Sequence, residues 1–372
     1  MKVLTLVGTR PELIRLSCTI KAFKRNFDHI LLHTGQNFDP NLSTIFYEDL
    51  ELDKPEFQLQ CGSASSSKTI GNILSQTDEI FEKISPDAIV ILGDTNSGLA
   101  AISAKRRKIP IFHVEAGNRS FNFNVPEEIN RKIIDHVSDI NICYSNRARE
   151  CLIREGLKPE MSLVLGSPMK EVLNFYWDKI SQSDVQKKLD LKAGSYYVVS
   201  VHRSETITNL KKLEDFIAVL RFLSSKKNKK VVLSLHPNTM DNLNKRGLKM
   251  PKNIIVSPPF NFTDYVSLMK NSDLVFSDSG TLAEESALMN LKAINLREEQ
   301  ERHEAMDEGA TILVGFNKDR ILDAVAFHEN RTGNQENVNS TVQDYEVSNF
   351  SEKMVKTVIS YTDYVNRIVW QR

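Results

Sequence analysis

Short, continuous apolar runs alternate along this chain with longer stretches whose apolar positions recur at helical spacing. The runs are Val3–Val7, His29–His33, Ala88–Leu92, Ile109–Val114 and Ile140–Tyr144, then Tyr196–Val201, Val231–Leu235, Ile254–Val256, Leu274–Ser277 and Ala293–Asn295. Runs without in-and-out alternation fit strands covered on both faces, as in parallel sheets. The intervening periodicity predicts helices at 11–23, 41–50, 68–83, 96–106, 126–137 and 146–155 in the first half. In the second half it predicts them at 210–223, 262–270, 282–289 and 350–366, with a Lys-, Asp- and Gln-rich helical segment from 168 to about 193. Strand and helix alternating in this way specify α/β layers, each a doubly wound parallel sheet with helices on both faces. The alternation pauses at Gly166-Ser167-Pro168 and restarts, so the expected domains are 1–167 and 168–349. Residues 328–345 read as a polar loop. Two such domains facing each other would form a central cleft between the carboxyl ends of their strands, where ligands of this architecture bind.

Length agrees with that division, since 372 residues exceed one ordinary core. Charge narrows the partners. Lys plus Arg (48) equals Asp plus Glu (48), so no overall basic field draws nucleic acid or an anionic membrane, and an anionic ligand must be held by local groups. Cys18, Cys61, Cys143 and Cys151 form no Cys-x-x-Cys pair and read as free thiols of a reducing cytoplasm. The apolar run at Met1–Gly8 is too short for a signal peptide, and no run reaches the ~18 residues of a membrane span. The expectation is a cytoplasmic protein.

Candidate chemistry gathers at the ends of the strands. The stretch Leu274–Leu288 runs from a strand through Asp278-Ser279-Gly280-Thr281 into a helix. Backbone N–H groups, two hydroxyls and the positive end of a helix dipole suit a phosphate there, and Glu285 could accept from sugar hydroxyls as acidic residues do for ribose. Helix capping alone would also account for such a turn. Other strand ends supply Arg10, Arg15, Asp94, Glu115, Arg119, Glu127, Glu128 and Arg131 in the first half. The second half supplies His202, Arg203, Glu205, His236, Glu285, Arg297, Arg302 and Glu304. Asp94, Glu115 and Glu127 at one sheet edge could raise one another's pKa and move protons near neutral pH, or belong to a structural ion-pair network with Arg10, Arg15 and Arg131. Two strand-end histidines, His202 and His236, tilt toward ligand binding rather than metal, for they lack close-spaced partners. No Gly-x-Gly-x-x-Gly or P-loop pattern appears, which argues against a tightly bound dinucleotide or ATP. The residues alone leave a glycosyltransferase, an epimerase and a binding module open.

Seven motifs, taken together, narrow the choice. Gly8-Thr9-Arg10-Pro11-Glu12, His33-Thr34-Gly35-Gln36, Gly93-Asp94-Thr95, His113-Val114-Glu115-Ala116-Gly117, Pro126-Glu127-Glu128-Ile129-Asn130-Arg131, Val201-His202-Arg203 and Ser277-Asp278-Ser279-Gly280 occur in this order across residues 3 to 316. The set resembles the UDP-N-acetylglucosamine 2-epimerase family. The resemblance implies two Rossmann-like domains in the arrangement shared with one large class of glycosyltransferases (GT-B), and a C-terminal helix, within 350–372, that returns to the first domain. It implies a homodimer, a UDP-sugar substrate and no redox cofactor. It makes Asp94, Glu115 and Glu127 the acid/base candidates, with Arg131 orienting them and His202 beside them. Arg10, His202, Ser279 and Gly280 would hold the diphosphate, Glu285 the ribose, and Arg15 and Arg302 would also bind the UDP-sugar. Gln36 and His236 fall in motifs associated with a second UDP-sugar site.

Further residues resemble one branch, the epimerases that form UDP-N-acetyl-L-fucosamine from UDP-2-acetamido-2,6-dideoxy-L-talose for capsule or O-antigen synthesis. These are Asn118, where the N-acetylglucosamine enzymes commonly carry Leu, together with segments 104–110, 262–266 and 360–367. UDP-N-acetylglucosamine is the alternative substrate. Departures from the family pattern include Arg15 for a frequent Lys, Thr281 for Gly and His303 for Pro.

Overall fold

The structure is a computed structural model. It describes residues 1–36, 40–201, 210–226, 229–235, 243, 246, 250–251, 253–330 and 341–372, the side chains of 40–44, 210 and 212 excepted. The chain divides into two compact units, Met1–Phe175 with Gln343–Arg372, and Tyr176–Val342.

The first unit carries strands β1 (Lys2–Val7), β2 (Asp28–His33), β3 (Phe57–Gln58), β4 (Ala88–Leu92), β5 (Ile111–Val114), β6 (Ile140–Cys143) and β7 (Ser162–Val164). Its helices are α1 (Arg10–Asn26), α2 (Pro40–Asp49), α3 (Ser66–Ile84), α4 (Ala101–Arg106), α5 (Pro126–Val137), α6 (Asn146–Arg154) and α7 (Met169–Phe175). The sheet order is β3-β2-β1-β4-β5-β6-β7, with every pairing parallel. Leu4, Leu6, Ile89, Ile91 and Ile111 meet Ile73, Phe81 and Ala104 in one core, so apolar strands buried on both faces take the parallel arrangement their patterning predicts. Chain order reverses between β1 and β4. That switch point separates the two connecting loops and opens a crevice at the carboxyl edge.

The segment predicted as helix 96–106 is a 3-10 turn at Asn96–Ala100 followed by α4. Gly98 lies so close to Ile134 that an added Cβ would stand 2.5 Å from its Cδ1. The last helix, Phe350–Ile368, packs on α1, as does α7. Glu171 of α7 accepts from the Ser351 amide at 2.8 Å and from its hydroxyl at 2.5 Å. These bonds explain why the residues between 168 and 175 go with the first unit.

The second unit contains α8 (Trp177–Ser181), α9 (Val185–Lys188), β8 (Tyr196–Val201), α10 (Leu210–Ser225), β9 (Lys230–Leu235), β10 (Ile254–Ser257), α11 (Phe262–Lys270), β11 (Leu274–Ser277) and α12 (Leu282–Met289). It continues with β12 (Ala293–Asn295), α13 (His303–Asp307), β13 (Ile312–Leu313) and α14 (Lys318–Glu329), and the chain closes with α15, the Phe350–Ile368 helix of the first unit. The order β10-β9-β8-β11-β12-β13 is again parallel throughout and reverses between β8 and β11. Val199, Val201, Phe276 and Ile294 pack with Phe216, Leu220 and Ile321. The region expected as a polar loop from 328 begins inside α14 and ends in a 3-10 turn at Gln343–Tyr345; its residues 331–340 lie outside those described. Segment 168–193, expected to be helical, holds three short helices.

Candidate active site

At the carboxyl edge of the first sheet the loops after β4 and β5 adopt left-handed backbone. Gly93 takes φ +74°, Glu115 φ +68° and Gly117 φ +83°. For Glu115 that conformation costs on the order of 1–2 kcal/mol, and its side chain shows what offsets the cost. One carboxylate oxygen pairs with Arg15 and the other with Arg131 at 3.0 Å, while Arg131 also donates to the Glu115 carbonyl. The same Arg131 Nη2 donates to Asp94 Oδ2 at 2.5 Å. Asn130 steadies the neighbouring turn, donating to the Asp94 carbonyl and to Asn96 Oδ1, both at 3.0 Å. Arg131 is 1% exposed and Glu115 4%, whereas the Asp94 side chain keeps 17%. Glu127 is half-buried and lies four residues before Arg131 on α5, so the two share a helix face.

Behind this pair runs a second layer of charge. His113 Nε2 bonds the Gly93 carbonyl at 2.7 Å and Nδ1 stands 2.9 Å from Asp135. Asp135 pairs with Arg119 at 2.6 Å, and Arg119 forks onto Glu155 at 2.9 and 2.6 Å. Burial pushes the Asp135 carboxyl up, but the His113 bond and the charges of His113, Arg119 and Arg131 outweigh it and hold Asp135 below its ordinary value.

The loop after β1 faces Asp94 across the switch point. Arg10 opens α1, and its guanidinium lies over the Phe46 ring at 5.3 Å. Glu12 accepts from the Gly8 and Thr9 amides at 2.5 and 3.0 Å and from the Thr95 hydroxyl at 2.6 Å. Burial is the largest influence on Glu12, and despite these three bonds it is raised to about 7. Gln36 accepts from the Ser97 amide and hydroxyl, both at 2.8 Å, and so braces the Asn96–Ala100 turn. Ser97 and Thr34 press against Gly8, leaving no room for a Cβ.

In the second unit the loop after β11 has different chemistry. The Ser277 hydroxyl accepts from the Ser279 amide at 3.1 Å and from Ser200 at 2.8 Å. Ser200 in turn bonds Tyr265 at 2.7 Å, so the Tyr265 ring supports the turn through its hydroxyl. Ser279 and Thr281 hydroxyls meet at 2.9 Å. Two buried guanidiniums close on Gly280: a Cβ there would stand 2.8 Å from Arg302 Nη1 and 3.0 Å from Arg297 Nη1. Arg302 is held by Glu284 at 3.0 Å and Arg297 by Glu301. Glu285 is buried in the first turn of α12. Strand end, hydroxyls, helix start and two arginines make a setting in which an anion is favoured.

A family model described as UDP-N-acetylglucosamine 2-epimerase matches residues 21–359. The chain belongs to that family. The relatives it matches are named as UDP-sugar 2-epimerases, so this is an isomerase. The UDP-N-acetylglucosamine 2-epimerase of Methanocaldococcus jannaschii is 33% identical over 347 residues, covering 91% of this chain and 94% of that protein. A UDP-2,3-diacetamido-2,3-dideoxy-D-glucuronate 2-epimerase of Pseudomonas aeruginosa is 32% identical over 329 residues, covering 87% and 91%. Among solved structures, the UDP-N-acetylglucosamine 2-epimerase from Rickettsia bellii superposes with a TM-score of 0.92 at 42% identity, over the full length of both chains. The M. jannaschii enzyme in complex with UDP-GlcNAc and UDP gives 0.89 at 31% identity, over 97% of this chain and 100% of that one.

In this epimerase-family chain, then, Asp94, Glu115, Arg15 and Arg131 form one connected cluster, and Ser279, Gly280, Glu285 and Arg302 sit on one turn and the helix it opens or beside it. Arg10 and Gln36 take their places on loops flanking the first cluster. His202 and His236 lie outside the described residues. Sequence reasoning passed over the buried Glu12, whose signal was a Thr-x-x-Glu capping spacing at residues 9–12. It noted Arg297 at a strand end but gave it no place beside Gly280, and Glu284 was passed over as the partner of Arg302.

Proposed function

We propose that the enzyme inverts C2 of a UDP-2-acetamido sugar by anti elimination and re-addition of UDP. A carboxylate takes the C2 proton. The C2–H electron pair becomes the C1=C2 bond of a 2-acetamidoglycal, and the C1–O pair leaves with UDP. UDP then adds back to C1 while C2 receives a proton on its opposite face. Asp94, Glu115 and Glu127 serve as acid and base, Arg131 and Arg15 orient them, and His202 works beside them. Ser279, Gly280, Arg302 and Arg10 hold the diphosphate and stabilise it as it departs, an effect worth several kcal/mol of barrier in sites of this kind. Glu285 receives the ribose hydroxyls. The observation that carries this reading is the single arginine, Arg131, clasping Asp94 and Glu115 at the switch-point crevice. Gln36 and His236 would serve a second UDP-sugar, and the working form would be a homodimer.

We assign UDP-2-acetamido-2,6-dideoxy-L-talose as substrate and UDP-N-acetyl-L-fucosamine as product, destined for surface polysaccharide. Support comes from the branch-like segments and from Asn118, a buried amide that finds no hydrogen-bond partner among the described residues. A Leu, the usual residue of the N-acetylglucosamine enzymes there, would need none. The names of the relatives favour a second reading, UDP-N-acetylglucosamine to UDP-N-acetylmannosamine. Turnover of the two purified sugars side by side, with products identified by C1–C2 proton coupling, decides. Epimerisation of the 6-deoxy-L-talo sugar alone supports the first assignment, and epimerisation of UDP-N-acetylglucosamine alone replaces it with the second.

A further inference from the structure

Glu12 is a buried carboxylate that the reaction scheme does not use. It is 3% exposed, and its partners are all donors: the Gly8 and Thr9 amides on Oε2, the Thr95 hydroxyl on Oε1. Several interior carboxylates of this chain are matched by arginines, Glu115 by Arg15 and Arg131, Asp135 by Arg119, Glu284 by Arg302, whereas Glu128, like Glu12, is held by an amide and a hydroxyl, both from Ser120. Among the described residues Glu12 bonds no cation, and the charged group that faces it from the β4 loop is another carboxylate, Asp94. A capping residue needs only the bond to its own helix start. The bond to Thr95 instead spans the switch point and joins the start of α1, which carries Arg10, to the residue that follows Asp94.

We propose that Glu12 is a positioning residue that locks the start of α1 to the Asp94 loop and so fixes where the Asp94 carboxylate stands. The inference rests on Asp94 acting in the epimerisation. Its chemistry carries a consequence for pH. While Glu12 is ionised, Thr95 donates to it. When a proton arrives, Oε1–H donates to Thr95 Oγ1 instead, the tie survives with its polarity reversed, and the negative charge beside Asp94 disappears. Glu12 makes this exchange close to neutrality, its carboxyl standing at about 7, so Asp94 meets two electrostatic settings across the working range.

Glu12→Gln reproduces the protonated form. Its carbonyl accepts the two amides and its NH2 donates to Thr95. The test is the pH profile of C2 hydrogen exchange for wild type, Glu12→Gln, Glu12→Ala, Thr95→Val and Thr95→Ser, with UDP affinity measured on each. The expected result is that Glu12→Gln keeps kcat within about threefold at its best pH and loses the inflection near pH 7. Glu12→Ala and Thr95→Val should cut kcat tenfold or more while UDP affinity changes less than threefold, and Thr95→Ser should restore it. The Thr95 pair approaches the tie from the other side and guards against a Glu12→Ala chain that fails to fold. An inflection unchanged in Glu12→Gln, or a Thr95→Val kcat within twofold of wild type, overturns the proposal. Asp94→Asn, run in parallel, keeps the two ideas apart: full exchange in that variant removes Asp94 from the chemistry, whatever Glu12 does.

Discussion

The two switch-point loops of this chain share a topology and differ in everything chemical. The strand orders β3-β2-β1-β4-β5-β6-β7 and β10-β9-β8-β11-β12-β13 reverse at the same step. At the first reversal stand carboxylates, Asp94 and Glu115, neutralised from behind by Arg15 and Arg131. At the second stand hydroxyls, amides and a glycine pressed by two arginines, themselves steadied by Glu284 and Glu301. One arrangement is suited to moving a proton, the other to receiving an anion. The same backbone supports both because the crevice is set by strand order and its chemistry by a few loop residues.

That contrast can be broken first at the carboxylates. Asp94→Asn and Glu127→Gln should each lower kcat by roughly 10²–10⁴-fold with UDP affinity, by calorimetry, little changed. Comparable losses of UDP affinity would erase the division of labour. Arg131→Met leaves Asp94 and Glu115 short of a buried counter-charge and should cost about 3–5 kcal/mol in urea unfolding, besides activity. Arg302→Gln should act the other way round from Asp94→Asn: a charge-assisted contact worth about 1.5–3 kcal/mol is lost, so UDP binds roughly tenfold to a hundredfold more weakly. Gly280→Ala should give a milder version of the same defect, since the added methyl must push back both guanidiniums.

The smallest expected effect is thermodynamic. Glu12 has its pKa raised by burial to about 7 from 4.5, so the folded chain holds its proton more tightly than the unfolded chain. Its contribution is fully present below the unfolded value and is lost as pH rises through about 7. Wild type should therefore lose stability relative to Glu12→Gln as pH rises from 4.5 to about 7, by up to a few kcal/mol, read from paired unfolding curves. A difference independent of pH would contradict the assignment of that proton.

Much of this architecture was legible before any coordinates. Ala88–Leu92 and Tyr196–Val201 announce themselves because a strand covered on both faces reads as a near-continuous apolar run. Edge strands β3, β7 and β13 did not, being two or three residues long and too short to show a period. The Asp94–Arg131–Glu115 cluster was legible as candidate residues, since Asp94 and Glu115 lie at strand ends and Arg131 closes the Pro126–Arg131 motif. Its connectivity was not, because pairing across loops depends on which strands are neighbours. Glu12 shows the same limit. Its bond to Thr9 is local and readable, whereas its bond to Thr95 exists only because β1 and β4 lie side by side. Arg297 approaches Gly280 from the strand beside β11, an adjacency that residue spacing does not encode.

The most direct test of the whole account is proton NMR of a UDP-2-acetamido sugar incubated with the enzyme in heavy water. The account predicts deuterium at C2 in both the recovered substrate and its epimer, with no free sugar accumulating. UDP binding without C2 exchange in either the 6-deoxy-L-talo sugar or UDP-N-acetylglucosamine would contradict it.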